Sequence, residues 1–280
     1  MTMVGGCDTH VHIIGDASVY PMVNQRHYTP GLASVDQLKH HLTQQGLTRA
    51  VIIQPSVYGT DNQCLLDALQ QLNGQARGIA VLDTRITTPD LQRLDTLGVR
   101  GIRLNLESSG ANNVTELKDA LQCWAPRLAD LNWHIQLYAP WAVTLACAAA
   151  MAQLPVPVVL DHFALWPDAS CQSAESRTVF DVFEQGQIYI KLSGSYRTPL
   201  KSEAAHLAVA QRLLALRPDR LLWGSDWPHT NREPGRQAHE VSRYRDISPQ
   251  TLSHERSLWL PTAPLQQQVL IDNPQRLYRF

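Results

Sequence analysis

Eight times along the chain a short apolar run is followed by a longer segment of helical spacing, at a repeat of ~35 residues. Few architectures accept that alternation. The runs fall at 6–13, 50–54, 77–82, 101–104, 134–138, 157–161, 187–192 and 220–224. The helix-patterned segments fall at 34–46, 62–73, 88–97, 115–131, 142–153, 176–185, 202–216 and 261–271. Val51-Ile52-Ile53 and Val156-Pro157-Val158-Val159-Leu160 are apolar without alternation, as strands covered on both faces must be. The pattern predicts an α/β fold, a single (β/α)8 barrel over residues 1–280. A doubly wound open sheet is the alternative, but no Gly-x-Gly-x-x-Gly follows the first run. Residues 14–31 and 230–260 are too long for simple connections and read as lids or substrate walls.

A net charge of −1 offers no basic field for nucleic acid, and the longest apolar stretch, near Trp141 to Met151, is too short to span a bilayer. The five cysteines (Cys7, Cys64, Cys123, Cys147 and Cys171) are scattered and form no Cys-x-x-Cys pair, which suits reduced thiols in a cytoplasmic protein. The expected partner is a small molecule; neither nucleic acid nor membrane is expected, and homo-oligomerisation is left open.

Ionisable groups gather at strand ends, where barrels place their chemistry. In Asp8-Thr9-His10-Val11-His12 the period-2 alternation predicts that Asp8, His10 and His12 all face the interior. Two histidines at that spacing reach one small object, or they are simply wet residues on one strand face. Trp223-Gly224-Ser225-Asp226-Trp227-Pro228-His229 ends the last run on a carboxylate suited to accept a proton from water, or to cap the next turn. In a closed barrel the first and last strands are neighbours, so His10, His12 and Asp226 should converge. Asp161-His162 ends the sixth run; alternation allows only one of the pair to face the axis, and His162 is the expected one. Arg103, Tyr138 and Arg197 also follow strand ends.

These residues resemble the amidohydrolase superfamily, and within it the branch of 2-pyrone-4,6-dicarboxylate lactonase and related lactone-acting enzymes. The resemblance covers nearly the whole chain: Cys7-Asp8-Thr9-His10-Val11-His12, Arg26-His27-Tyr28-Thr29-Pro30, Arg100-Gly101-Ile102-Arg103-Leu104-Asn105, Asp161-His162, Lys191-Leu192-Ser193 and the Gly224-to-His229 run. It implies a hydrolase that opens a carboxylate-bearing lactone, with Asp226 as general base and His10, His12 and His162 polarising the carbonyl. Tyr28, Arg103, Tyr138, Arg197 and His229 would bind substrate. No cofactor is expected, because Tyr138 stands where metal-dependent members place a histidine. The alternatives are a divalent ion (zinc or manganese) on His10, His12, His162 and Asp226 in a hydrolase or decarboxylase, and a sugar-acid lactone isomerase. The branch's further arginines after strands four and six are replaced here by Asn105-Leu106-Glu107-Ser108-Ser109 and Phe163-Ala164-Leu165-Trp166, which argues for a substrate with one carboxylate.

Overall fold

A computed structural model describes residues 2–107, 113–167 and 173–280; Cys171, Ser108 and Ser109 lie outside them. Eight parallel strands follow one another around a barrel: β1 (Cys7–Val11), β2 (Arg49–Ile53), β3 (Ala76–Ala80), β4 (Val99–Asn105), β5 (His134–Tyr138), β6 (Val158–Leu160), β7 (Ile188–Ser193) and β8 (Leu221–Gly224). Every run expected to be a strand is one. Seven helices cross between successive strands: α1 (Val35–Gln45), α2 (Gln63–Gln71), α3 (Thr88–Thr96), α4 (Val114–Ala129), α5 (Trp141–Ala152), α6 (Ala174–Gln185) and α7 (Glu203–Leu216). Local chemistry sets their starts. Ser34 and Gln37 form a reciprocal capping box at α1, and Thr87 precedes a proline in the first turn of α3.

The expected loop at 230–260 needs correcting. Residues Pro249–Trp259 form α8, started by Ser248, whose side chain accepts from the Thr251 N–H. The chain beyond it runs through Ala263–Gln267, a π-turn at Gln268–Asp272 and Asn273–Tyr278, rather than one helix over 261–271.

The barrel interior splits into two layers. At its floor Cys7, Val51, Ile53, Ile79, Val159, Tyr189 and Leu222 pack on Leu277 and Tyr278, which plug the barrel from below. His134 is at this end, edge-on to Tyr278, far from the strand tips. Above lies the polar layer described below. The larger apolar core fills the space between sheet and helices.

The two ends of the sheet close directly. Val11 bridges Trp227 in parallel register; Asp226 N donates to His10 O at 2.9 Å and His12 N to Trp227 O at 2.8 Å. The Thr9 hydroxyl donates to Trp223 O at 2.8 Å. At Gly224 an added Cβ would lie 2.6 Å from His10 Cβ and 2.9 Å from its backbone N, so only glycine lets the strands meet. Overpacking of this kind costs about 1–3 kcal/mol, more where backbone must move. Gly224→Ala should lose at least that in urea unfolding. Gly31→Ala, where the nearest atom to an added Cβ is Val241 Cγ1 at 3.8 Å, should stay within about 0.5 kcal/mol of the parent. Equal midpoints for the two variants would contradict this account of the closure.

Candidate active site

The first strand does not keep its parity. Between Asp8 and Val11 the register against β2 slips, a bulge that inserts one residue. Asp8 therefore turns outward to α1, with His41 Nε2 at 3.1 Å from its Oδ2, while its Oδ1 accepts from the Ser225 and His10 N–H groups. His10 and His12 face inward. The expectation that Asp8 joins them fails because alternation stops at the bulge.

The sixth strand departs from alternation too, and here both neighbours reach the site. After β6 the chain enters a left-handed turn in which His162, Phe163, Ala164 and Leu165 have φ of 48°, 54°, 54° and 51°. That conformation is unfavourable for L-residues, and it redirects His162 to the same side as Asp161. His162 Nδ1 lies 3.0 Å from Ser193 Oγ. Gly194 makes room for the ring: its φ is 52°, and a Cβ there would sit 2.7 Å from His162 Nδ1.

Beneath the pocket lies a buried polar layer that sequence reasoning missed. Lys191, fully buried, donates to Gln136 Oε1 at 2.8 Å and stands 3.6 Å from Asp161 Oδ1. Gln136 Nε2 donates to Asp161 Oδ2 at 3.0 Å, and Arg103 Nη2 is 3.7 Å from the same oxygen. His10 Nδ1 is 3.4 Å from Lys191 Nζ and 3.3 Å from Asp161 Oδ1. A lone lysine inside the apolar run Ile188-Tyr189-Ile190-Lys191-Leu192 was the available signal, because buried lysines are rare unless paired.

Asp226 takes a left-handed conformation (φ 62°) and turns its carboxylate over the layer. Its Oδ1 lies 3.6 Å from both His10 Nε2 and His12 Nε2. Neither this oxygen nor His10 Nε2 has a hydrogen-bond partner among the described residues, although both are buried. Asp226 Oδ2 is saturated: Tyr196 Oη donates to it at 2.7 Å and Arg197 Nε binds it directly. Arg197 Nη2 donates to the Thr230 hydroxyl and carbonyl. Arg197, expected on substrate, thus holds the carboxylate.

A cavity of about 270 Å³ opens above. His12, Tyr28, Arg103, Tyr138, His162, Arg197 and Asp226 line it, so seven of the nine expected residues meet there. His27 and Tyr28 come from the first long loop, and Thr230, Asn231, Arg232 and Arg245 from the last, which makes both loops walls. His10 lies below, with no exposed surface. His229 is the exception. It stands behind Tyr196, whose Oη is 3.2 Å from its Nδ1, and it lines a separate depression with His41 and Trp227.

Burial and charge set the protonation states. Burial pushes His10 well below the ordinary imidazole value and His162 down to about 4, so both are neutral. Burial alone would raise Asp226, but the Arg197 guanidinium bound to it holds it well below the usual carboxylate range. Burial lowers Lys191 to about 8. With imidazoles counted as neutral, Lys191, Arg103, Arg197, Arg232 and Arg245 face three anions, Asp161, Asp226 and Glu107, so the cavity is electropositive.

One ring nitrogen each of His10 and His162 and one Asp226 oxygen lie within 4.8 Å of one another, close enough in span to share a metal ion. The neighbours fit such an ion poorly. Asp161 Oδ1, though 3.3 Å from His10 Nδ1, makes no hydrogen bond among the described residues, and an ammonium has only hydrogens to offer, so Lys191 donating to Nδ1 at 3.4 Å leaves the hydrogen of the neutral ring on Nε2, where a metal would need a lone pair. Arg197 already neutralises Asp226. His12 differs: its Nδ1 donates to the Ile53 carbonyl at 2.8 Å, so in the neutral ring Nε2 presents a lone pair to Asp226 and the cavity.

The 2-pyrone-4,6-dicarboxylate hydrolase of Comamonas testosteroni is 32% identical over 286 residues, spanning 98% of this chain and 90% of its own. The 4-sulfomuconolactone hydrolase of Hydrogenophaga intermedia is 28% identical over 282 residues, spanning 98% and 88%. A crystal structure of a probable 2-pyrone-4,6-dicarboxylic acid hydrolase from Acinetobacter baumannii, with citric acid bound, superposes with a TM-score of 0.82 at 26% identity, covering 99% of this chain and 100% of that one. The description of the amidohydrolase family matches residues 7–280. The chain therefore belongs to the amidohydrolase family of enzymes.

Proposed function

We propose that this enzyme opens a lactone by adding water, without a metal ion. The observation that carries the reading is the pair of unpartnered buried atoms, Asp226 Oδ1 and His10 Nε2, facing each other 3.6 Å apart at the closed end of an electropositive cavity. The relatives named as hydrolases of a pyrone and of a muconolactone support the same chemistry.

In this mechanism a water held by Asp226 Oδ1 attacks the lactone carbonyl carbon as its proton passes to that oxygen. His10, through Nε2–H, and His162 at the cavity wall stabilise the negative charge that develops on the carbonyl oxygen. Collapse of the tetrahedral intermediate breaks the ring C–O bond, and the proton taken by Asp226 returns to the departing oxygen. A carboxylate held at so low a pKa is a weak base, so most of the barrier lowering falls to the imidazoles on the carbonyl side. An activated ester such as a lactone suits that division. His12, whose Nε2 lies 3.6 Å from Asp226 Oδ1, orients the water beside that oxygen.

Enzyme stripped with chelator should keep its turnover on a panel of lactones, with substoichiometric metal by elemental analysis. Turnover that disappears with chelator and returns with zinc would overturn the metal-free reading. Asp226→Asn should lower kcat by about 10²–10⁴ while a product acid still binds; unchanged turnover would remove Asp226 from the chemistry.

Lys191 sets the pH profile. It is charged below about 8 and neutral above, so kcat/KM should fall as pH rises through that value, because the neutral amine no longer obliges His10 to carry its hydrogen on Nε2. Lys191→Met should show low activity without that alkaline limb. No acid limb should appear near 6.5 from His10 or His162, because burial holds the first well below that value and the second down to about 4. A wild-type profile controlled by a group of pKa 6.5, or a Lys191→Met variant that keeps the limb, would contradict this assignment.

A further inference from the structure

The cations of the cavity are not equivalent. Arg103 is spent on Asp161 and on the Gln54 carbonyl, to which its Nη1 donates at 3.3 Å. Arg197 is spent on Asp226 and Thr230. Lys191 is spent on Gln136 and Asp161 below the floor. Arg245 differs from all three. It lines the cavity and its side chain has no hydrogen-bond or carboxylate partner among the described residues; its Nε, like that of Arg103, is buried and unsatisfied. The guanidinium rests 5.0 Å from the centre of the Tyr196 ring, whose hydroxyl donates to Asp226. A guanidinium in that state is fixed in position by stacking while its fork of donors stays unused. Backbone holds it further: Arg245 N donates to His229 O at 2.9 Å, in the segment that leads directly from Asp226.

A buried donor without a partner is unfavourable in the free enzyme, and a planar fork pairs best with a carboxylate. We propose that Arg245, with the exposed Arg232 at the cavity mouth, forms an anion subsite on the loop after β8. The subsite takes the single carboxylate of the substrate and sets it one tyrosine ring away from the reacting carbonyl. Glu107, which lines the cavity just beyond β4, makes that wall unsuited to a second carboxylate and able to accept from a hydroxyl. The substrate class is therefore a lactone with one carboxylate, and hydroxyl groups toward the β4 side. This inference rests on the lactone-hydrolase reading for its substrate, but its test does not.

The probe is tetrahydrofuran-2-carboxylate, a cyclic ether acid that cannot be hydrolysed, measured by calorimetry against the neutral tetrahydrofurfuryl alcohol. Wild-type enzyme should bind the acid at least about 10-fold more tightly. Arg245→Gln should lose that preference and leave binding of the alcohol unchanged, and Arg245→Lys should recover part of it. On a lactone carrying one carboxylate, Arg245→Gln should raise KM about 10- to 100-fold with kcat within about threefold, and leave KM for an uncharged lactone unaltered. Equal affinity of the wild type for acid and alcohol, or equal loss of both in Arg245→Gln, would overturn the subsite. Selective acid binding by an enzyme that opens no lactone would retain the subsite and defeat the hydrolase reading.

Discussion

The first and last strands of this barrel meet over few backbone contacts, and the reacting groups ride on those contacts. Asp226 N donates to His10 O, and the next bond in register joins His12 N to Trp227 O. The bulge in β1 turns Asp8 away from the face that His10 and His12 share, and Gly224 presents no side chain to hold the strands apart. The separation of imidazoles and carboxylate is thus set by main-chain hydrogen bonds rather than by rotamer preference. Preorganisation of that kind is what hydrolysis without a strong base requires.

The layer beneath the cavity carries a second constraint. Lys191 and Asp161 are both fully buried, and each is tolerable there only because the opposite charge stands beside it, with Gln136, His10 and Arg103 around the pair. Removing one partner of such a pair strands the other and costs about 3–5 kcal/mol. Protonation of the catalytic imidazole and stability of the core therefore share one network. Asp226 shows the same economy at the upper level: one oxygen is fully engaged by Tyr196 and Arg197, and the other is kept for chemistry.

Much of this was legible in the residues. The eight apolar runs became eight strands because both faces of a parallel sheet are covered, and a run apolar on both faces has few other places to go. The convergence of His10, His12 and Asp226 followed from closure alone. What alternation could not show was where alternation stops. The bulge sent Asp8 outward, and the left-handed turn at His162 brought that ring to the side that Asp161 already faces. Both depend on tertiary contacts that no local pattern encodes. The helix at Pro249–Trp259 was hidden in a charged stretch, though Ser248 before Pro249 is a start signal in plain view. Arg197 and His229 were placed on the right loops, but proximity to the cavity does not say which way a side chain is already committed.

Leu277 and Tyr278 seal the barrel floor from below, while β8 and the residues after it seal its side. A nascent chain that has delivered only β1 to β7 therefore has an open-edged sheet, with Cys7, Val51 and Ile79 facing water and His10 without its carboxylate. The apolar interior becomes dry only once β8 and the segment carrying Leu277 and Tyr278 have joined it, so the barrel has an open, pairing-competent edge until its last elements arrive.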